Sequence, residues 1–66
     1  MREWLLAIRK KENISQKEIA DQCNISSGYY CMIENGTRKP SVKLAKLIAN
    51  NMHFNLYSKN WTNFFE

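Results

Sequence analysis

The sequence is poor in the parts from which metal sites, phosphate loops and membrane spans are made. It has two cysteines, Cys23 and Cys31, and one histidine, His53. Structural zinc takes about four closely spaced N/S ligands, so no metal site is expected. In an intracellular chain the cysteines read as small apolar side chains rather than a disulfide. Two glycines and one proline leave no glycine-rich phosphate loop, no linker and no repeat. The longest apolar run, Trp4 to Ile8, falls far below the roughly 20 residues that cross a bilayer. The start is too short and, after Ile8, too charged to be a secretory signal. A soluble, cytoplasmic protein without cofactor or small-molecule ligand is expected. Nor do the acids converge on a pocket. Glu12, Glu18, Asp21 and Glu34 are spread along helical segments with capping or pairing roles open to them, which argues against an enzyme.

Acids are also missing where bases gather. Between Gly36 and Phe54 the chain carries Arg38, Lys39, Lys43 and Lys46 and no acid, within a net charge of +4. Such a run suits a polyanionic partner, and equally a solvated basic face.

What is present is enough for one domain, residues 1–66, with 44% apolar residues. A chain of this size buries only about 60% of its surface on folding, so its core must be compact. No strand-like alternation persists, and the pattern predicts an all-α bundle of four to five short helices. The first spans Arg2 to Lys11, with Trp4, Leu5 and Ile8 on one face and Asn13 suited to a left-handed end. The second, Gln16 to Cys23, opens with the capping box Ser15-Gln-Lys-Glu18 and the staple Ile14/Ile19. Ile19, Ala20 and Cys23 face inward, and Asn24 stops it. The third, Ser27 to Asn35, has Ser26 as N-cap and Tyr30 and Ile33 as core anchors, and Gly36 ends it. After the loop Thr37-Arg-Lys-Pro40, Ser41 caps a fourth helix, Val42 to Asn51, with Leu44, Ala45, Leu47 and Ile48 as its core stripe. The aromatic tail, 52–66, carries Phe54, Leu56, Tyr57, Trp61, Phe64 and Phe65. The spacing of Trp61, Phe64 and Phe65 fits a short fifth helix.

The second and third helices satisfy the demands of a helix-turn-helix. Ala20 is small where the helices cross. Asn24 tolerates positive φ at the turn, Ile25 plugs the wedge after it, and Tyr30 and Ile33 hold the second helix. At this point the chain resembles a known family. Gln16-Lys-Glu-Ile-Ala20, Ile25-Ser-Ser, Ile33-Glu-Asn-Gly36 and Pro40-Ser are similar to the Cro/C1-type (XRE-like) helix-turn-helix repressors, over about Trp4 to Met52. The closing Trp61-Thr-Asn-Phe-Phe-Glu66 is similar to an ending common in small regulators of mobile genetic elements, bacterial or phage-encoded. Asn24 replaces the usual turn glycine. Asn50 to Phe54 replaces the usual small-Leu-Gly stretch, and Asn55 to Asn60 is extra length.

The resemblance implies a lambda-repressor-like bundle that binds double-stranded DNA sequence-specifically, usually as a homodimer, and regulates transcription, most often as a repressor. It also implies a pair between Arg9 and Glu34. Base-facing positions would be Ser27, Gly28 and Met32. Gly28 reads as a point of close backbone approach or as a tolerated helix defect. Met32 reads as an apolar contact to a thymine methyl or as a gap-filler. Tyr29 reaches a phosphate or packs with its hydroxyl in water. Gln16 and Lys17 would hold phosphates from the start of the second helix, or form an ordinary exposed helix start. Asn35, Thr37, Arg38, Lys39 and Lys43 around the end of the third would hold phosphates too. The aromatic tail either closes the monomer core or carries the dimer contact. The alternative function is a protein-interaction module, an antitoxin or adaptor, which the weak base-reading set favours and the acid-free basic stretch opposes.

Overall fold

The computed structural model describes residues 1–66. Four α-helices are followed by two 3-10 turns: α1 Glu3–Lys11, α2 Gln16–Gln22, α3 Ser27–Asn35, α4 Val42–Asn51, then Phe54–Tyr57 and Trp61–Phe65. There is no strand. No helix is long and apolar enough to cross a membrane.

Local chemistry sets most boundaries. At the start of α2, the Glu18 N–H donates to Ser15 Oγ at 3.0 Å and the Ser15 N–H donates to the Glu18 carboxylate at 3.1 Å. This reciprocal bonding satisfies two of the amides that a helix start leaves free. Ser26 and Ser41 cap α3 and α4 with a single side-chain bond each, accepting from Tyr29 N–H and Leu44 N–H at 3.1 Å. The other ends use positive φ. Asn13 (56°) and Asn24 (59°) occupy the left-handed region after α1 and α2, and Gly36 (89°) does so after α3. At both asparagines the next amide reaches back to a carbonyl five residues earlier, Ile14 to Arg9 and Ile25 to Ala20. This is the Schellman closure, which supplies partners for otherwise free carbonyls.

The core holds Leu5 and Ile8 of α1, Ile19 and Ala20 of α2, Cys23, Tyr30 and Ile33 of α3, and Leu44, Ala45 and Ile48 of α4, together with Met52, Phe54 and Phe64. α3 packs on α2 and α1, while α4 packs on α2 and on both 3-10 turns. Ala20 is fully buried where α2 meets its neighbours, and Ile25 is half-buried against the core.

The structure differs from the sequence-based expectations in four places. α1 starts one residue later, because Arg2 serves as N-cap without a side-chain cap bond. α2 stops at Gln22 and Cys23 becomes its C-cap. Leu47 is not a core residue: it is 37% exposed. The buried side of α4 runs through Leu44, Ala45 and Ile48 toward Ala49 and Met52, where the tail covers it, so Leu47 lies on the other side. The closing segment is a 3-10 turn and not an α-helix. Its five residues are capped by Asn60, whose side chain accepts from Thr62 N–H while Asn63 reaches back to the Asn60 N–H.

The tail turns twice through left-handed residues, His53 (55°) and Ser58 (58°). This brings Phe54 and Phe64 under Trp4. The three rings form a cluster with centroid separations of 5.3 to 5.7 Å, edge-on or tilted, as aromatic quadrupoles prefer. Phe54 and Phe64 therefore close the monomer core. Leu56 (69% exposed) and Phe65 (39% exposed) remain outside it.

Candidate nucleic-acid interface

The orientation of α3 is fixed by a buried carboxylate. Glu34 is 2% exposed. Arg9 of α1 grips it with two donors, Nε to Oε1 at 2.8 Å and Nη2 to Oε2 at 3.2 Å. Gln16 Nε2 donates to Oε2 at 2.9 Å, and the buried Tyr30 hydroxyl donates to Oε1 at 3.1 Å. The expected Arg9–Glu34 pair is thus present, and it is the centre of a larger network joining α1, α2 and α3. Burial pushes the Glu34 carboxyl up. The hydrogen bonds from Arg9 and Gln16, with the charge of Arg9 and the bond from Tyr30, outweigh it and hold the group below the usual carboxylate range. The bond to Glu34 likewise raises the Arg9 guanidinium. Burial, with the adjacent Glu34 charge, pushes the Tyr30 phenol well up, so it stays a neutral donor. Arg9 Nη1 also donates to Ile14 C=O at 3.1 Å, tying the loop before α2 to the same network.

With Tyr30, Ile33 and Glu34 turned inward, helical periodicity turns Gly28, Met32 and Asn35 outward with Cys31 at the flank, and Ser27 is open to solvent because it lies in the first turn. Ser27, Gly28 and Asn35 are exposed, and Tyr29, Cys31 and Met32 are half-buried. Tyr29 lies at the edge of the face and packs against the core. A Cβ at Gly28 would meet nothing within 4 Å, so internal packing does not require glycine there.

The surrounding polar residues divide into engaged and free. The Gln16 amide spends one N–H on Glu34, which the sequence did not reveal. Lys17 pairs with Asp21 at 3.0 Å on an exposed helix surface; such pairs contribute little. Asn35 Oδ1 accepts the Thr37 N–H at 2.9 Å, an Asx turn that shapes the loop after α3. Thr37, Arg38 and Lys39 are exposed in that loop, as is Lys43 in the first turn of α4. None of the three cations is in an ion pair; the pairs present are Arg9–Glu34, Lys17–Asp21 and His53–Glu12. The acid-free stretch in fact runs on from Gly36 to Phe65. The outward face of α3 is open surface. The largest recess, about 350 Å³, lies elsewhere, between α4 and the tail beside Lys46 and Trp61.

Two groupings were not legible in the sequence. Arg2 donates from its side chain to the carbonyls of Ile33, Arg38 and Phe64. Glu12 accepts from His53 Nδ1 at 2.9 Å and from the Tyr57 hydroxyl, tying the end of α1 to the tail. Both join residues more than thirty positions apart, and no local spacing announces them.

Comparison with known proteins agrees with this geometry. Residues 5–56 match the sequence profile of a family described as Helix-turn-helix. An uncharacterized HTH-type transcriptional regulator, YqaF of Bacillus subtilis strain 168, is 46% identical over 66 residues, covering the whole of this chain and 80% of the relative. No solved structure matches the chain significantly. The profile match spans α2, the Asn24 turn and α3, the same elements whose caps, crossing and buried anchor are described above, and the chain belongs to the helix-turn-helix family of the Cro/C1 (XRE-like) type.

Proposed function

We propose that this protein is a sequence-specific double-stranded DNA-binding regulator of transcription in the cytoplasm. It would act as a homodimeric repressor by occupying its operator. The observation that carries this reading is the pairing of an open α3 face with a rim of unpaired cations, Arg38, Lys39 and Lys43. The relative's name, HTH-type transcriptional regulator, supports it.

A major groove about 12 Å wide admits one helix. Gly28 lets the backbone of α3 approach the base edges. Ser27 contacts them polarly, and Met32 contacts them through an apolar tip, for example on a thymine methyl. Phosphates are held by Arg38, Lys39, Lys43, Thr37 and the free amide group of Asn35 on one side. On the other side Gln16 offers its second N–H and Lys17 its ammonium, released from a weak exposed pair. Tyr29 offers its hydroxyl at the edge. Glu34, Arg9 and Tyr30 do not touch DNA; they orient the helix that does, and Gln16 alone serves both the network and a phosphate.

The size of the molecule supports a dimer. Its longest Cα extent is 26 Å, whereas successive major grooves on one side of DNA are about 34 Å apart. One copy reaches one groove, and two adjacent copies span a palindromic site.

The test is selection of duplexes from a random-sequence pool, followed by titration of the recovered duplex at several salt concentrations. The expected result is an inverted repeat with half-site centres about one helical turn apart. Affinity should fall with salt at a log–log slope near −0.9 per phosphate contact. Recovery of no sequence, or binding indifferent to salt, would overturn the reading in favour of a protein-interaction module. Transcription from a promoter overlapping the recovered site should drop when the protein is supplied.

A further inference from the structure

The loop that grips phosphates in the reading above, Asn35–Lys39, is held chiefly by its own helix. Gly36 N–H donates to Ile33 C=O at 3.3 Å, Arg38 N–H to Met32 C=O at 3.1 Å, and Thr37 N–H to Asn35 Oδ1. The one hydrogen bond that reaches the loop from outside α3 comes from Arg2, whose Nη1 donates to Arg38 C=O at 3.2 Å. The same nitrogen donates to Ile33 C=O in the last turn of α3, and Nη2 donates to Phe64 C=O in the tail at 3.3 Å. The guanidinium carbon lies 5.6 Å from the centroid of the Phe64 ring. The Arg2 backbone N–H donates to Glu34 C=O at 2.8 Å, and the backbone nitrogen of Met1 lies beside Gly36.

We propose that Arg2 is a positioning residue for DNA binding: its guanidinium bridges the end of α3, the Arg38–Lys39 peptide and the tail, and so presents Arg38 and Lys39 to backbone phosphates. The inference rests on the DNA-binding reading and deepens it. A helix leaves its last carbonyls without internal partners, and a planar fork with five N–H donors can satisfy several at once in fixed directions. Lysine carries the same charge but has no fork. Arg2 is half-buried and committed to carbonyls and to the Phe64 ring, so its own contact with DNA is not the point. Its effect passes through the peptide it holds. The loop side chains cannot do this for themselves, because Thr37, Arg38 and Lys39 are all exposed. The tail enters the same bridge through Phe64, which links the aromatic cluster to the phosphate-binding edge.

The test is Arg2→Lys, which leaves net charge unchanged. The backbone bond to Glu34 and the whole of α1 from Glu3 onward are retained, so the variant keeps its fold, checked by circular dichroism at the binding temperature. Binding of the wild type and R2K to a random-sequence duplex of about 30 bp is measured between about 50 and 200 mM salt. Loss of one or two phosphate contacts makes the log–log slope shallower by about 0.9 to 1.8. Over that fourfold salt range, the loss of affinity then shrinks by about 3- to 12-fold. In a background carrying Arg38→Ala and Lys39→Ala, R2K should leave the slope unmoved, since its targets are gone. An R2K protein with the wild-type slope overturns the inference alone. So does an equal change in both backgrounds, which would make Arg2 a general stabilising residue. A wild type that does not bind the duplex overturns the DNA reading and this inference with it.

Discussion

The two halves of the molecule are held by opposite means. The helix-turn-helix half has a buried carboxylate at its centre: Glu34 accepts hydrogen bonds from Arg9, Gln16 and Tyr30. The tail half has an apolar centre, the rings of Trp4, Phe54 and Phe64, and its carboxylate, Glu12, lies outside that cluster, accepting from His53 and Tyr57. The difference matches what each half must do. Aromatic burial is large but weakly directional, and it fixes that two surfaces meet. Hydrogen bonds to a single carboxylate fix direction as well. In the function proposed here the outward residues of α3 face a groove; such a helix needs its rotation set, and the polar network sets it. A tail that closes a core needs only to stay down.

The largest effect is expected of Glu34→Ala. It leaves the Arg9 guanidinium, the Gln16 amide and the fully buried Tyr30 hydroxyl without their shared acceptor. Removing one member of a buried charged network costs about 3–5 kcal/mol, a large part of what a small domain has. The melting temperature should fall steeply, and amide exchange in α2 and α3 should rise before that in the tail. Exchange rising first in the tail would reverse the roles assigned to the two halves. The same carboxylate predicts a pH dependence. Its folded pKa lies below the unfolded value, so the folded state binds fewer protons in the acid range and stability falls as the pH is lowered. The contribution is complete above the ordinary glutamate value near 4.5 and is lost as pH drops through the lower folded value. Thermal melts of wild type from neutral to acid pH should show a slope over this window that Glu34→Gln flattens.

Phe64→Ala tests the apolar half. Its ring is buried between Trp4 and Phe54, and truncation of such a residue costs about 3 kcal/mol. The effect should stay regional. Trp4 fluorescence should shift toward that of a hydrated indole, while the α2–α3 amides keep their protection relative to the lowered global stability. Equal loss of protection in both halves would show that they fold as one unit and that the contrast drawn above is only one of chemistry.

How far the sequence disclosed these halves follows the same division. Ser15, Glu18, Ser26 and Ser41 act on amides a few residues away, and Asn13, Asn24 and Gly36 on the backbone at their own positions. Such signals are local, and the helices they bound, α4 at both ends, were legible. The outward face of α3 was legible too, because periodicity carries it once Tyr30 and Ile33 are assigned inward. Leu47 was misassigned because the apolar stripe of α4 is wider than the side the tail covers, and only the tail's path decides which edge is wet. The spacing of Trp61, Phe64 and Phe65 fits one turn of either helix type, and a five-residue segment adopts the tighter one. Arg2 gave no signal, since its side-chain partners lie 31, 36 and 62 positions away. Gln16 and Lys17 were placed at the start of α2 correctly, but their engagement with Glu34 and Asp21 depends on side-chain direction.

The smallest effect is expected at the carboxylate beside the tail. Glu12 is held below the usual carboxylate range first by the hydrogen bond from Tyr57 and then by that from His53, and the bond to Glu12 in turn raises the Tyr57 phenol. Glu12→Gln keeps an acceptor for Tyr57 and His53 but removes the charge. Because this cluster lies at the surface and the aromatic rings hold the tail without it, the melting temperature at neutral pH should fall by much less than in Phe64→Ala. The sign with pH is the same as for Glu34: the wild-type contribution is complete above the ordinary carboxylate value and lost below it, so wild type and E12Q should converge in acid. A drop in E12Q as large as that of Phe64→Ala would mean that the tail, like α3, is oriented by a carboxylate, and that directional anchoring belongs to the whole fold and not to its helix-turn-helix half.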